Sequence, residues 1–336
     1  MPTTRRLMWG ATLVGVLLYI ATAPSVLARA PRHARIVFAS DRDGVGVAEI
    51  YTMDPDGGGV RRLTQSGGMA GHPRWSPNGR SIAFAWEPPD GTFDVYVMDP
   101  DGRNIRNLTG SEISYDAQPS WSPDGREIAY ASQGFAGAHI RRADLDGGSS
   151  AQVTFTEPID AAFDSAPSWS PDGSEIAFVT TRGSLSEIFA VDPGGGQARQ
   201  ITRDDAWSRM PRWSPDARRL VYARGLDGET PGLDLYSAAA DGEGIRRLTE
   251  HADSDAGPAW SPDGANIVFS RRRGIGFGST SDILVMTFGG GEVRDLTAHP
   301  STNTGPDWFD PTMLRVGAAG RRPVLWSGLR ALGAPR

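Results

Sequence analysis

The sequence predicts an all-β, six-bladed β-propeller, on three observations. Trp-Ser-Pro recurs five times, in Pro73-Arg-Trp-Ser-Pro-Asn-Gly79, Pro119-Ser-Trp-Ser-Pro-Asp-Gly125, Pro167-Ser-Trp-Ser-Pro-Asp-Gly173, Pro211-Arg-Trp-Ser-Pro-Asp-Ala217 and Pro258-Ala-Trp-Ser-Pro-Asp-Gly264, with a degraded sixth copy at Pro306-Asp-Trp308-Phe309. The six tryptophans, Trp75, Trp121, Trp169, Trp213, Trp260 and Trp308, lie 46, 48, 44, 47 and 48 residues apart. That is the period of propeller blades; helical repeats return every ~33 to 34 residues. The chain also holds 42 Gly and 25 Pro in 336 residues, a composition that favours many short strands joined by turns.

The elements follow in order. Residues 1–30 read as an export signal: Arg5 and Arg6 precede an uncharged stretch from Leu7 to Ala28, with small residues at Val26-x-Ala28 and Ala28-x-Ala30. The alternative is a retained membrane anchor, because about twenty apolar residues suffice to span a bilayer. On either reading the domain behind it is exported, to the periplasm or the extracellular space, or held at the inner membrane by this segment. The propeller is expected over residues 34–310. A basic tail follows at 311–336, with Arg315, Arg321, Arg322, Arg330 and Arg336 and no acidic residue. Leu325, Leu329 and Leu332 have the spacing of a short helix. Without cysteine there is neither a disulfide framework nor a lipid-attachment site, so the core alone must stabilise the fold.

Within each unit, Pro-Asp-Gly suits a type I turn with an easy positive φ at glycine. A second strand follows as Ile36-Val-Phe38, Ile82-Ala-Phe84, Ile128-Ala-Tyr130, Ile176-Ala-Phe178, Leu220-Val-Tyr222 and Ile267-Val-Phe269, apolar at successive positions as in a sheet covered on both faces. The third strand runs out through Tyr51-Thr-Met53-Asp54 or its equivalents into an Asp-x-Asp-Gly turn. The fourth closes on Leu63-Thr64, Leu108-Thr109, Val153-Thr154, Ile201-Thr202, Leu248-Thr249 and Leu296-Thr297. The chain begins at a second strand and ends at a first strand. The C-terminal strand is therefore expected to complete the N-terminal blade and close the ring without a free edge. The tryptophans are expected as core residues wedged between blades. Ala217 replaces the turn glycine and is expected to be strained if left-handed.

These residues resemble the WD40-like propeller repeat of the TolB type, over about residues 34–310. The resemblance implies an exported or envelope-associated domain that binds other proteins. TolB carries an α/β domain before its propeller, whereas here the repeats begin within a few residues of the signal, as in a stand-alone relative.

The formal charge is −6, and −9 without the first thirty residues. An acidic surface argues against nucleic acid, whose binding is dominated by neutralising phosphates. The loops leading into each Pro-x-Trp carry Glu112, Asp116, Glu157, Asp160, Asp164, Asp204, Asp205, Glu250, Asp253 and Asp255. Asp116, Asp164 and Asp255 share one repeat position, so near-symmetry predicts a partial acidic ring at the channel mouth, suited to a basic partner segment or a cation. The plainer reading is that they cap turns through backbone amides. Asp54-Pro-Asp56-Gly57 and Asp99-Pro-Asp101-Gly102 begin like calcium loops but lack the closing ligands, and read as turns. His72, His251 and His299 fall in the same loops and are the candidate metal ligands, although His251 and His299 recur as one loop position. Arg271-Arg272-Arg273 is expected in a solvated loop, with acidic glycans or lipid head groups as the sharper alternative. A serine hydrolase is excluded by the lack of a Gly-x-Ser-x-Gly elbow. Two functions remain: a monomeric, non-catalytic scaffold for a protein or peptide partner in the envelope, needing no cofactor, and a metal-assisted, carbohydrate-active enzyme resembling exported uronate lyases, using a divalent cation.

Overall fold

Six four-stranded antiparallel sheets follow one another around a ring. The computed structural model describes residues 31–44, 47–65, 67–89, 91–135, 137–146, 148–155, 163–181, 185–203, 206–226, 232–274 and 278–316. The predicted signal at 1–30 and the leucines of the basic tail lie outside the described residues. Blade 1 contains β1 (Arg35–Ser40), β2 (Glu49–Met53) and β3 (Arg61–Arg62). Blade 2 is β4 (Met69–Trp75), β5 (Ile82–Glu87), β6 (Asp94–Met98) and β7 (Arg106–Asn107). Blade 3 is β8 (Tyr115–Trp121), β9 (Glu127–Gly134), β10 (Gly137–Asp144) and β11 (Ser150–Gln152). Blade 4 is β12 (Ser165–Trp169), β13 (Ile176–Thr180), β14 (Glu187–Val191) and β15 (Arg199–Gln200). Blade 5 is β16 (Ala206–Trp213), β17 (Arg219–Leu226), β18 (Asp234–Ala239) and β19 (Arg246–Arg247). Blade 6 is β20 (Ser254–Trp260), β21 (Asn266–Arg273), β22 (Thr280–Thr287) and β23 (Arg294–Asp295). The last strand, β24 (Asn303–Phe309), pairs with β1 in the register Arg35↔Phe309 and Ile36↔Trp308, and so completes blade 1 as the phase of the repeats predicts. One short helix, α1 (Pro311–Val316), follows it.

The cores lie between blades. Val37, Ile50 and Phe309 of blade 1 pack with Trp75, Phe84 and Met98 of blade 2 in one buried cluster. Equivalent clusters hold Trp121, Trp169, Trp213 and Trp260 at the next four junctions, and Trp308 packs against the sixth. Trp75, Trp121, Trp169, Trp213 and Trp260 are each less than a tenth exposed.

The repeated polar residues act locally. In every Trp-Ser-Pro turn the seryl Oγ donates to the Asn or Asp two residues on and accepts the N–H five residues on, as Ser122 does with Asp124 (2.7 Å) and Glu127 (2.9 Å). In all six blades the threonine of the Leu-Thr ending accepts a third-strand N–H, from Ile50 to Thr64 through Ile283 to Thr297, at 2.9 to 3.1 Å. That hydroxyl continues a fourth strand only two or three residues long. Ala217 has φ of 58°, the left-handed value its glycine counterparts adopt. Replacing it by glycine relieves the steric cost of Cβ there and is expected to stabilise the fold by up to about 1 kcal/mol. A melting temperature unchanged or lowered in Ala217→Gly would refute this.

One expectation is corrected. Arg271, Arg272 and Arg273 are not in a loop; they finish strand β21, paired with Asp282, Ser281 and Thr280. Arg271 is bound to Asp255, and Arg273 reaches Asp282 and Asp295. The long second strand reflects an extended hairpin in blade 6, which a basic composition hides from pattern reading.

Candidate functional site

The six inner strands, β4, β8, β12, β16, β20 and β24, line the centre of the ring. Each carries a bulge where its register to the next strand shifts. The cause is one backbone conformation: the residue before each motif proline is left-handed, at His72, Gln118, Ala166, Met210, Gly257 and Gly305, with φ between 50° and 60°. Non-glycine residues adopt this region rarely, and bulges re-aim side chains. These six residues meet around the channel. Gln118 Oε1 accepts the Ala166 N–H at 2.7 Å, and a Cβ on Gly305 would stand 3.8 Å from His72 Cα.

Asp116, Asp164 and Asp255 occupy one position of this wall, with Ala70, Ser208 and Asn303 as its other members, and all six are buried. Their backbone N–H groups stitch neighbouring blades together, Asp116 to the Phe93 carbonyl at 2.8 Å and Asp255 to that of Leu233 at 2.6 Å. The carboxylates thus lie inside the wall and not at the channel mouth. Asp116 accepts from Ser132 (2.6 Å) and Ser114 (2.9 Å), and burial raises its pKa against those bonds. Asp255 takes two hydrogen bonds from Arg271, at 2.7 and 2.8 Å. Of the loop acids, Glu157, Asp160, Asp204 and Asp205 lie outside the described residues.

The three histidines are spread over two settings. His251 and His299 each donate their backbone N–H to a carboxylate near the start of the third strand of the blade before, Asp234 (3.3 Å) and Asp282 (3.2 Å). Their rings engage neighbours in the same loop: His251 Nδ1 accepts the Asp253 N–H, and His299 Nδ1 meets Ser301 Oγ. His72 stands in the channel wall. Water reaches its side chain, yet the surrounding strands shield it from bulk solvent; this burial, and then the Arg74 charge, push its pKa down to about 4. Among the described residues no three His, Cys, Asp or Glu side chains gather as a metal cluster.

The channel has two ends. On the face of the Trp-Ser-Pro turns it opens into a cavity of about 370 Å³ lined by Trp75, Trp213, Trp260, Trp308, four motif prolines, Arg212 and Asp307, with Met313 and Leu314 of α1 at its edge. Burial raises the Asp307 carboxyl to about 6, against the pull of Arg74 and two backbone amides. On the face of the variable loops, large apolar side chains are exposed around blade 3. Tyr115 opens β8 opposite Gln133, Phe135 stands fully exposed at the β9–β10 tip, and Phe163 bridges to Ala138 beside that tip. Ile113 is four-fifths exposed two residues before Tyr115. The group is rooted in the fold, since Tyr115 packs on the buried Phe93 at 4.5 Å between ring centres. Sequence reasoning weighed the charges of these loops and missed their aromatics. The available signal was Gly134-Phe135, a large apolar residue in a hairpin tip where polar residues are the rule.

The TolB beta propeller domain family matches residues 66–163 and 166–314. Among solved structures, TolB from Acinetobacter baumannii is 19% identical with a TM-score of 0.69, over 82% of this chain and 66% of that one, so this chain spans just under two thirds of that TolB. A TolB structure from Agrobacterium tumefaciens is 20% identical with a TM-score of 0.63, over 82% of this chain and 98% of the other. An oligogalacturonate lyase in complex with manganese is 16% identical with a TM-score of 0.51, over 80% and 74%. At these identities the likeness is one of fold. No curated protein sequence matches the chain.

Proposed function

The chain belongs to the TolB beta propeller domain family, and from that premise we propose that it is an exported, non-catalytic scaffold of the cell envelope that binds a protein or peptide partner on its variable-loop face. The observation that carries this reading is the exposed group of Ile113, Tyr115, Phe135 and Phe163 around the blade 3 hairpin. Contiguous apolar surface on a soluble protein marks interaction sites, and aromatic residues dominate the energetics of such interfaces. Tyr115 is anchored on the buried Phe93, and such pre-organisation lowers the cost of binding. The reading needs no cofactor and places the partner on the side of the membrane to which the chain is exported.

The test compares wild-type protein with Ile113→Ser/Phe135→Ser as baits in envelope extract. The chain contains no lysine, so the partner is trapped by a photo-reactive residue at Gln133. A partner captured by the wild type and lost from an equally stable variant is the expected result. The same proteins captured by both baits would remove the blade 3 surface as the site.

A metal-assisted enzyme working on carbohydrate in the channel is the second reading, favoured by His72 in the channel wall. Stoichiometric metal retained after purification, and lost in His72→Gln, would establish it over the scaffold.

A further inference from the structure

Two arginines stand in the channel wall, and we propose that Arg74 and Arg212 form a binding site for a small oxyanion, a carboxylate or phosphate group, beside the cavity on the turn face, which Arg212 lines. The site is on the opposite face from the blade 3 surface and is independent of it. Both residues occupy the middle of Pro-x-Trp, in blades 2 and 5, which are three blades apart in a ring of six and therefore opposed.

Three of the four other occupants of this position tie blades together, the exception being Ala259, which has no acceptor. Ser120 Oγ accepts the Trp169 N–H at 2.9 Å, Ser168 Oγ that of Trp213 at 3.3 Å, and Asp307 Oδ2 that of Trp75 at 2.8 Å. Each ties one blade to the next. A guanidinium has no acceptor and cannot make this bond. At the two arginine junctions the tie is made another way: the Trp121 indole donates to the Arg74 carbonyl (3.1 Å) and the Trp260 indole to the Arg212 carbonyl (3.2 Å). The indoles of Trp75, Trp169, Trp213 and Trp308, at the four junctions without arginine, have no such partner. The two arginine side chains are thus released from the structural task of their position.

They are nevertheless held inside the protein. Arg74 is only 9% exposed. Its Nη1 rests on the carbonyls of Pro73 (2.6 Å) and Gly305 (3.1 Å), and Arg212 Nη1 on those of Pro211 (3.1 Å) and Pro167 (3.4 Å). The Nε of each is buried without a hydrogen-bond partner. A buried cationic donor left unmatched is costly, and such groups in a native fold call for an explanation. Carbonyl oxygens hold Nη1 of each arginine while its buried Nε has no partner, and the guanidinium fork matches a carboxylate or phosphate edge. The neighbouring cavity supplies room, and its Trp and Pro walls suit a ligand with an apolar body. The chain as a whole carries −6, so an anion drawn here answers these two groups and not a general basic surface. Asp307, on the same wall, acts on Arg74 and competes with a bound anion.

The experiment is calorimetric titration of the full chain at pH 7.5 with inorganic phosphate and, separately, with benzoate, each at matched chloride ionic strength. At least one probe is expected to bind, and which one binds assigns the source as phosphate or carboxylate. Arg74→Met/Arg212→Met is expected to weaken binding about tenfold or more. Asp307→Asn keeps an acceptor for Trp75, removes the competing charge, and is expected to tighten binding. Arg212→Met alone carries the loss arm if the double variant does not fold. No heat with either probe in wild type, or affinities unchanged by Arg212→Met and by Asp307→Asn, would overturn the proposal.

Discussion

Phe309→Ala is expected to destabilise the protein by about 3 to 5 kcal/mol, the cost of deleting a buried aromatic ring. Phe309 is 5% exposed and packs on Trp75 with ring centres 5.5 Å apart. It belongs to β24, which pairs with β1 and closes the ring. The ring also covers the first Trp-Ser-Pro turn so closely that a Cβ on Gly79 would lie 2.1 Å from Cζ. Gly79 is left-handed at 65°. Gly79→Ala is therefore strained twice over in the wild type, but only by its backbone once the ring is gone. Urea titration of the two single variants and the double variant separates the terms: the double variant is expected to be less destabilised than the sum. Additive losses would show that Phe309 does not seal this turn, and a Phe309→Ala loss below about 1 kcal/mol would show that the closing strand is held by its backbone alone.

The blades were legible because every one repeats the same few local rules. Serine after five of the six motif tryptophans, threonine after the last apolar residue of each blade and glycine in four of the five Trp-Ser-Pro turns all act within a few residues of themselves or on the adjacent strand, where periodicity exposes them. Ring closure was legible for the same reason, since the phase of β1 and β24 is a property of the repeat. What escaped was the outcome of burial. Asp116, Asp164 and Asp255 stand in register as the sequence implies, yet whether a repeated carboxylate points at water or into a wall depends on the neighbouring strand. Ser132 and Arg271 decide it. Similarly, arginine in two of six copies of Pro-x-Trp is visible in the sequence, but its meaning appears only when serine and aspartate at three of the other copies are seen stitching blades.

Asp255→Ala is expected to cost a further about 3 to 5 kcal/mol, because it strands a buried guanidinium. The Asp255 side chain is fully buried and that of Arg271 is 13% exposed, and their two hydrogen bonds are parallel and short. Asp255 is also the chief cause that raises the Arg271 pKa, and the arginine stays charged even without it, because a guanidinium is protonated at any ordinary pH. Replacing both residues with apolar ones of similar size, as in Asp255→Leu/Arg271→Met, removes the uncompensated charge and is expected to restore most of the loss. Equal destabilisation in the single and double variants would mean that the pair acts through shape and not charge. The result bears on function directly. A binding defect in Asp255→Ala would follow from a loosened blade 6 even if no partner ever touched the carboxylate, because the side chain is out of reach of solvent. Loss of binding therefore locates a surface only where the substituted residue is exposed in the folded chain, as Phe135 is, and where the melting temperature of the variant matches that of the wild type.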